Sequence, residues 1–103
     1  MEIDDLSKFN IIRKHNLGLI RMRAIAFEWA EIAEAEQQMS CIYEEGEFRD
    51  VLLFTKPSVK GRLSIDQNLL EVQVELGILM SPLKNLIKLE ISKNLDKLLE
   101  LEI

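Results

Sequence analysis

The final third of the chain constrains the fold more than any other stretch. Residues 69–76 alternate apolar and polar side chains, the pattern of an antiparallel strand with one face in water. Gly77 ends that strand, and Ser81 followed by Pro82 predicts a helix with Ser81 as its N-cap. The helical pattern continues for about twenty residues, so the helix is about 30 Å long and can cross four or five strands. Its predicted apolar face consists of Met80, Leu83, Ile87, Ile91, Leu95 and Leu98.

Four further strands and one further helix are predicted upstream. The strands cover residues 9–14, 39–44, 48–55 and 61–66. The helix covers residues 17–38, with Asn16 as its N-cap. Gly46 is predicted to supply a positive φ in the turn after the second strand, and residues 56–60 to form a loop after the third.

The element order β-α-β-β-β-β-α predicts the topology. Short connections join the last four strands into a meander, and pairing of the first strand with the fifth makes every neighbouring pair antiparallel. The fold class is therefore α+β, a two-layer structure in which two helices cover one face of a five-stranded antiparallel sheet of order 2-3-4-5-1. The arrangement is helix-grip-like. We expect residues 9–103 to form one domain and residues 1–8 a loose N-terminal tail.

The chain has more apolar positions than the predicted core needs. Four of them lie off the apolar faces of the two helices, and we interpret these as a candidate surface for a partner subunit. They are Ile20, Phe27, Leu86 and Leu89. Leu52 and Phe54, which we assign to the outer face of the third strand, are the competing location.

Charge and composition exclude several classes of partner. The formal net charge is −5, whereas nucleic acids and anionic membranes attract basic surfaces. The apolar runs are too short for a transmembrane segment. One cysteine allows no intrachain disulfide, and no leader pattern opens the chain. We therefore expect a cytoplasmic protein that binds no nucleic acid.

No catalytic, metal-ligating or cofactor-binding set stands out in the sequence. His15 is the only histidine and Cys41 the only cysteine, so a zinc site has no ligand set. Either residue could act in catalysis, but a histidine that bonds backbone at a helix entry and a cysteine packed in the core are the simpler interpretations. The four glycines are too scattered for a phosphate loop. We expect no enzyme and no cofactor.

Asn94 is a second polar position of interest, because helical spacing places it within the apolar arc of the last helix. Its amide could satisfy a backbone group, or it could fix the register of the helix or line a small cleft. Asn94 and His15 together form the candidate polar feature of the core.

Several short segments carry a family resemblance. Residues 15–19 read HNLGL, residues 76–79 read LGIL, and residues 93–96 read KNLD, with Trp29 in the middle of the first helix. Across residues 9–99 the chain resembles the polyhydroxyalkanoic acid system protein family, small bacterial proteins whose genes lie beside those for polyester granules.

The resemblance implies an accessory role, with a granule or a granule-associated protein as partner, and it carries over no catalytic residue. The chain departs from the family pattern at Asn85, where the family has glycine, and at Leu86 and Leu89, where it is polar or small. Two hypotheses follow. The first is a non-enzymatic accessory or interaction protein that forms homo-oligomers. The alternative is a START-like helix-grip module that holds a small hydrophobic ligand between sheet and helix.

Overall fold

The computed structural model describes residues 7–100 of the chain. Five strands and two α-helices follow one another in the predicted order. They are β1 (Lys8–Lys14), α1 (Gly18–Gln37), β2 (Ser40–Glu44), β3 (Asp50–Lys56), β4 (Val59–Ile65), β5 (Leu69–Leu76) and α2 (Lys84–Glu100). A single 3-10 turn, Ser81–Leu83, leads into α2. Most of the segment predicted as a loose tail, residues 1–8, lies outside the described residues.

The sheet has the predicted topology. Its spatial order is β1-β5-β4-β3-β2, and all four pairings are antiparallel, which confirms the α+β fold. In β5 every second residue is buried, because strand side chains point alternately to the two faces. These inward residues are Leu70, Val72, Val74 and Leu76.

Helix α1 lies on the inner face of the sheet. Its buried stripe combines small and large side chains, so the backbone can approach the strands closely while larger groups fill the margins. The stripe comprises Met22, Ile25, Ala26, Trp29, Ala30 and Ala33. Trp29 meets Phe54 edge to face, with ring centroids 4.9 Å apart. Gln38, directly after the helix, takes a left-handed conformation with φ 57°.

Helix α2 lies on the same face, beside α1 and against β1. Its C-terminal half is well packed, with Ile91, Leu95 and Leu98 buried. Its N-terminal end is not, because Met80 and Ile87 are only partly buried and Leu83 is 44% exposed. The start of α2 is therefore packed less closely than its C-terminal half.

The third strand faces the opposite way from the prediction. Leu52 and Phe54 are fully buried, so they cannot serve as an outer partner surface. The register explains this orientation, since Leu52 pairs with Leu63 and Phe54 with Gly61, both of which face the core. A strand that is apolar on both faces does not reveal from its own sequence which face is inside.

The turns also differ from the predictions. The loop predicted over residues 56–60 is a two-residue turn, Pro57-Ser58, since Lys56 already pairs with Val59. Ser58 takes the positive φ there, 65°. Gly46 has no positive φ. A Cβ at that position would instead collide with the carbonyl oxygen of Arg49, so the glycine permits a close backbone approach.

Neither predicted N-cap is present. Leu17, not Asn16, precedes α1, and it makes no side-chain cap bond. Ser81 lies inside the 3-10 turn, where its hydroxyl donates to the carbonyl oxygen of Ile78 at 3.3 Å. The entry to α1 is instead held by the Nδ1 of His15 and by backbone hydrogen bonds to residues 67 and 68, and the entry to α2 by backbone hydrogen bonds to Gly77.

Candidate interaction surface and groove

An apolar groove lies between the C-terminal half of α1 and the N-terminal half of α2. Its volume is about 140 Å³. It lies where the start of α2 is only partly buried. Its apolar walls are Trp29, Ile32, Ala33, Met39, Val59, Met80, Leu83, Ile87 and Ile91.

Four polar residues complete the lining of the groove, namely Gln37, Lys56, Glu90 and Asn94. The Nζ of Lys56 donates to the carbonyl oxygen of Gln37 at 3.4 Å, close to the end of α1. Asn94 is partly buried, and its amide makes no hydrogen bond within residues 7–100. The residue that the sequence placed inside the apolar arc thus presents free donor and acceptor groups at the groove.

A run of exposed apolar side chains adjoins the groove. We call it the apolar segment and define it as Ile78, Leu79, Leu83, Leu86 and Leu89. Ile78 is 89% exposed, Leu86 60% and Leu89 54%. Leu83 belongs both to the segment and to the groove wall. Sequence reasoning selected Leu86 and Leu89 but missed the others, although the run Ile78-Leu79 directly after a strand-ending glycine was a signal.

The backbone of Gly77 places the apolar segment beside the turn between β3 and β4. Its N–H donates to the carbonyl oxygen of Ser58 at 2.9 Å, and its own carbonyl accepts from Met80 at 3.1 Å and Ser81 at 2.9 Å. The chain is thereby turned tightly from β5 into α2. This turn leaves Ile78 and Leu79 pointing into solvent.

The four residues predicted as a partner surface are all exposed but do not lie together. Phe27 stacks on the ring of Tyr43 in edge strand β2, with centroids 4.3 Å apart and planes 22° apart. Phe27 belongs to α1, and Ile20, which is 80% exposed, lies two turns earlier on the same helix. Leu86 and Leu89 belong to α2, which packs against β1 at the opposite edge of the sheet. Their role in binding a partner stays a prediction.

His15 fixes the start of α1. Its Nδ1 accepts from the backbone N–H of Leu17 at 3.1 Å, and the backbone N–H of His15 donates to the carbonyl oxygen of Asn68 at 3.0 Å. Gly18 donates in the same way to Gln67 at 3.1 Å. The Nε2 of His15 is buried and finds no partner among residues 7–100. His15 does not line the groove, so it and Asn94 form no common site.

A buried polar cluster escaped sequence analysis. Asp50, 1% exposed, accepts hydrogen bonds from Nε of Arg23 at 2.6 Å, from Nη2 of Arg23 at 2.9 Å, from Oη of Tyr43 at 2.7 Å and from the N–H of Gly46 at 3.0 Å. Burial alone would raise the pKa of Asp50, but the hydrogen bonds from Arg23, Gly46 and Tyr43 lower it overall. The pKa of Tyr43 is raised, mainly by burial and next by the hydrogen bond to Asp50.

The cluster joins α1 to strands β2 and β3. Its four hydrogen bonds occupy both carboxylate oxygens of Asp50. One signal was available in the sequence. Asp50 alternates in phase with Leu52 and Phe54, so once these face the core, Asp50 must face it too.

Cys41 behaves as a packing residue. It is partly buried, and its Sγ lies 3.9 Å from the carbonyl oxygen of Ala30. Burial, with a contribution from the nearby charge of Glu34, raises the pKa of the thiol. The thiolate form that a nucleophile needs is thereby disfavoured.

Residues 7–100 contain no group of three or more histidine, cysteine, aspartate or glutamate side chains placed to hold a metal ion. Neither α1 nor α2 is long and apolar enough to span a membrane.

Searches of curated proteins and of solved structures returned no match. A family model described as "Putative polyhydroxyalkanoic acid system protein" matches residues 9–99, a range that contains almost every strand and helix described above. The match confirms the resemblance carried by the HNLGL and KNLD segments. The chain therefore belongs to the family of putative polyhydroxyalkanoic acid system proteins.

Proposed function

We propose that this protein is a non-enzymatic accessory protein of a polyhydroxyalkanoic acid system, which works in the cytoplasm by binding the polyester granule surface. The observation that carries the proposal is the apolar segment, five large hydrophobic side chains exposed within twelve residues. A contiguous exposed apolar patch is typical of a binding surface. A polyester surface, which is apolar and uncharged, is a suitable partner for it.

The energy available from such a contact is appreciable. Full burial of one leucine or isoleucine side chain stabilises by about 1.5–3 kcal/mol. Partial burial of five such side chains is therefore enough for a reversible association, even after the loss of rigid-body freedom on binding. Because the segment follows the tight turn at Gly77 and continues onto a helix, its backbone is already ordered before binding.

The contacts of Asp50, His15 and Cys41 support a non-enzymatic role, because each of these residues takes part in the hydrogen bonding or packing of the fold. Asp50 receives four hydrogen bonds, Nδ1 of His15 accepts at the start of α1, and Cys41 is a partly buried thiol. None of these three residues lines the groove. Among the described residues 7–100, these three candidate side chains therefore do not meet at the groove.

The proposal includes self-association when no granule is present. Two copies could bury their apolar segments against each other in an isologous contact, where the same patch is used on both subunits. Light scattering would then give a mass above the 11.9 kDa of one chain, and the mass would fall towards that value on dilution. A mass of one chain at every concentration would contradict self-association.

Cosedimentation with isolated polyester granules tests the main proposal. We would compare the wild-type protein with a Leu86→Glu/Leu89→Glu variant, using an Ile42→Glu/Phe48→Glu variant as the matched control. The control also places two charges on exposed apolar positions, but away from the apolar segment. We expect the first variant to lose at least tenfold in granule affinity and the control to bind like wild type. Equal binding by all three proteins would refute the proposal.

Ligand binding is a second candidate function, favoured by the groove. The cavity lies between the sheet and the C-terminal helix, as the helix-grip alternative requires. Its volume of about 140 Å³ is smaller than the roughly 300 Å³ or more of common ligand pockets. A ligand of this groove must therefore be small, or must leave part of itself outside.

A further inference from the structure

We propose that the groove binds a short, uncharged acyl ester, with the hydrocarbon part on the apolar floor and an ester oxygen accepting a hydrogen bond from Asn94. This inference rests on the second candidate function and names its ligand class. It does not depend on granule binding through the apolar segment.

The size of the groove sets the length of the acyl chain. An engineered apolar protein cavity of about 150 Å³ takes up a benzene molecule. The groove, at about 140 Å³, is therefore large enough for an acyl chain of about four to six carbons. Trp29, Ile87 and Ile91 are among the side chains that would contact it.

The charges at the rim favour a neutral ligand over an ion. Lys56 and Glu90 both line the groove, so their opposite charges offset each other. Lys56 already donates to the carbonyl oxygen of Gln37 at the end of α1, where helix carbonyls carry partial negative charge. A carboxylate would meet Glu90 and these carbonyls, and an ammonium group would meet Lys56. An uncharged group meets neither penalty.

The polar partner favours a ligand that carries a hydrogen-bond acceptor. Asn94 lies among apolar side chains, and its amide has no hydrogen-bond partner within residues 7–100. An alkane would leave the N–H donors of that amide unsatisfied, whereas an ester supplies acceptor oxygens for them. A polyhydroxyalkanoic acid consists of hydroxy acids joined as esters, so this ligand class fits the family description.

Titrations monitored by nuclear magnetic resonance would test the inference on ¹⁵N-labelled protein. The probes are methyl butanoate, the butanoate anion, butylammonium and benzene. Trp29 is the only tryptophan, so its indole signal reports on the groove without ambiguity. We expect methyl butanoate to bind with a dissociation constant of about 1 mM, and both ions to bind at least tenfold more weakly.

Two variants separate the ester contact from simple filling of the groove. Asn94→Leu should weaken methyl butanoate about fivefold to tenfold and leave benzene unchanged or tighter. Ile32→Phe, which narrows the groove, should weaken both probes, while the matched change Ile20→Phe at an exposed site on α1 should weaken neither.

The possible failures are distinguishable. If butanoate or butylammonium binds as tightly as the ester, or if Asn94→Leu leaves ester binding unchanged, the ester assignment is wrong while ligand binding in the groove stands. If no probe shifts the Trp29 indole signal, both the assignment and the ligand-binding function are wrong. Neither outcome alters the granule experiment, which depends on Leu86 and Leu89.

Discussion

Arg23 on α1 donates two parallel hydrogen bonds to Asp50 at the start of β3. Nε of Arg23 lies 2.6 Å from Oδ2 of Asp50, and Nη2 lies 2.9 Å from Oδ1. A buried carboxylate is costly unless it is paired and hydrogen-bonded, and here Tyr43 and Gly46 supply the remaining donors. The contact fixes α1 over the β2 edge, where the ring of Phe27 stacks on Tyr43.

Replacing Asp50 should therefore destabilise the protein markedly. We expect Asp50→Asn to lower the free energy of unfolding by about 2–4 kcal/mol, because one amide oxygen cannot satisfy all the donors that face it. Urea denaturation followed by circular dichroism measures this. Glu45→Gln is the matched control, since Glu45 is exposed and lies 3.6 Å from the same arginine. A control loss as large as that of Asp50→Asn would show that burial is not the cause.

The same carboxylate should make stability depend on pH in acid. The pKa of Asp50 is lower in the folded protein than the value of about 4 in an unfolded chain. The unfolded state therefore takes up the proton first, and the contribution of Asp50 to stability, complete above about pH 4, is lost as the pH falls through the folded pKa. The difference in unfolding free energy between wild type and Asp50→Asn should shrink from pH 5 to pH 2. A constant difference would contradict this explanation.

Gly61 is required by the ring of Phe54, its partner across the strand pair. A Cβ at Gly61 would overlap the Phe54 ring, which is fully buried beside Trp29. Alanine is normally better than glycine within a strand, yet we expect Gly61→Ala to cost about 1–3 kcal/mol through overpacking. Thermal unfolding measures this loss. In a Phe54→Leu background the alanine should cost less, and equal costs in both backgrounds would argue against the ring contact.

The patterns that predicted the fold are local. Alternation in β5 and the helical repeat of α2 identified the elements, and short connections then left few topologies. The Arg23–Asp50 pair joins residues 27 positions apart, so it became recognisable only once the register was known. The groove was harder still. Helical spacing places Leu83 in the same apolar arc as Ile91, but it does not give the distance from the helix to the sheet.

Arg13 and Asp96 provide a weaker tether between β1 and α2. Nε of Arg13 lies 2.7 Å from Oδ1 of Asp96, and both side chains are partly exposed. Exposed ion pairs contribute little, so we expect Asp96→Asn to cost about 0.5 kcal/mol at low salt and almost nothing at about 1 M salt. Urea denaturation at the two salt concentrations tests this. A loss that does not change with salt would indicate a role in packing rather than in charge.

Gly18, part of the HNLGL segment that pointed to the family, offers a test of backbone conformation alone. Its φ is 81°, and an added Cβ would meet no atom within 4 Å. Helix propensity predicts that Gly18→Ala stabilises by about 1 kcal/mol, whereas the left-handed conformation predicts a loss of about 1–2 kcal/mol. We expect the loss, and a smaller one for Gly18→Asn, because asparagine tolerates this conformation better. The urea midpoints of wild type, Gly18→Ala and Gly18→Asn distinguish these two expectations. If alanine proves more stable than asparagine, helix propensity outweighs the strained φ at the entry to α1.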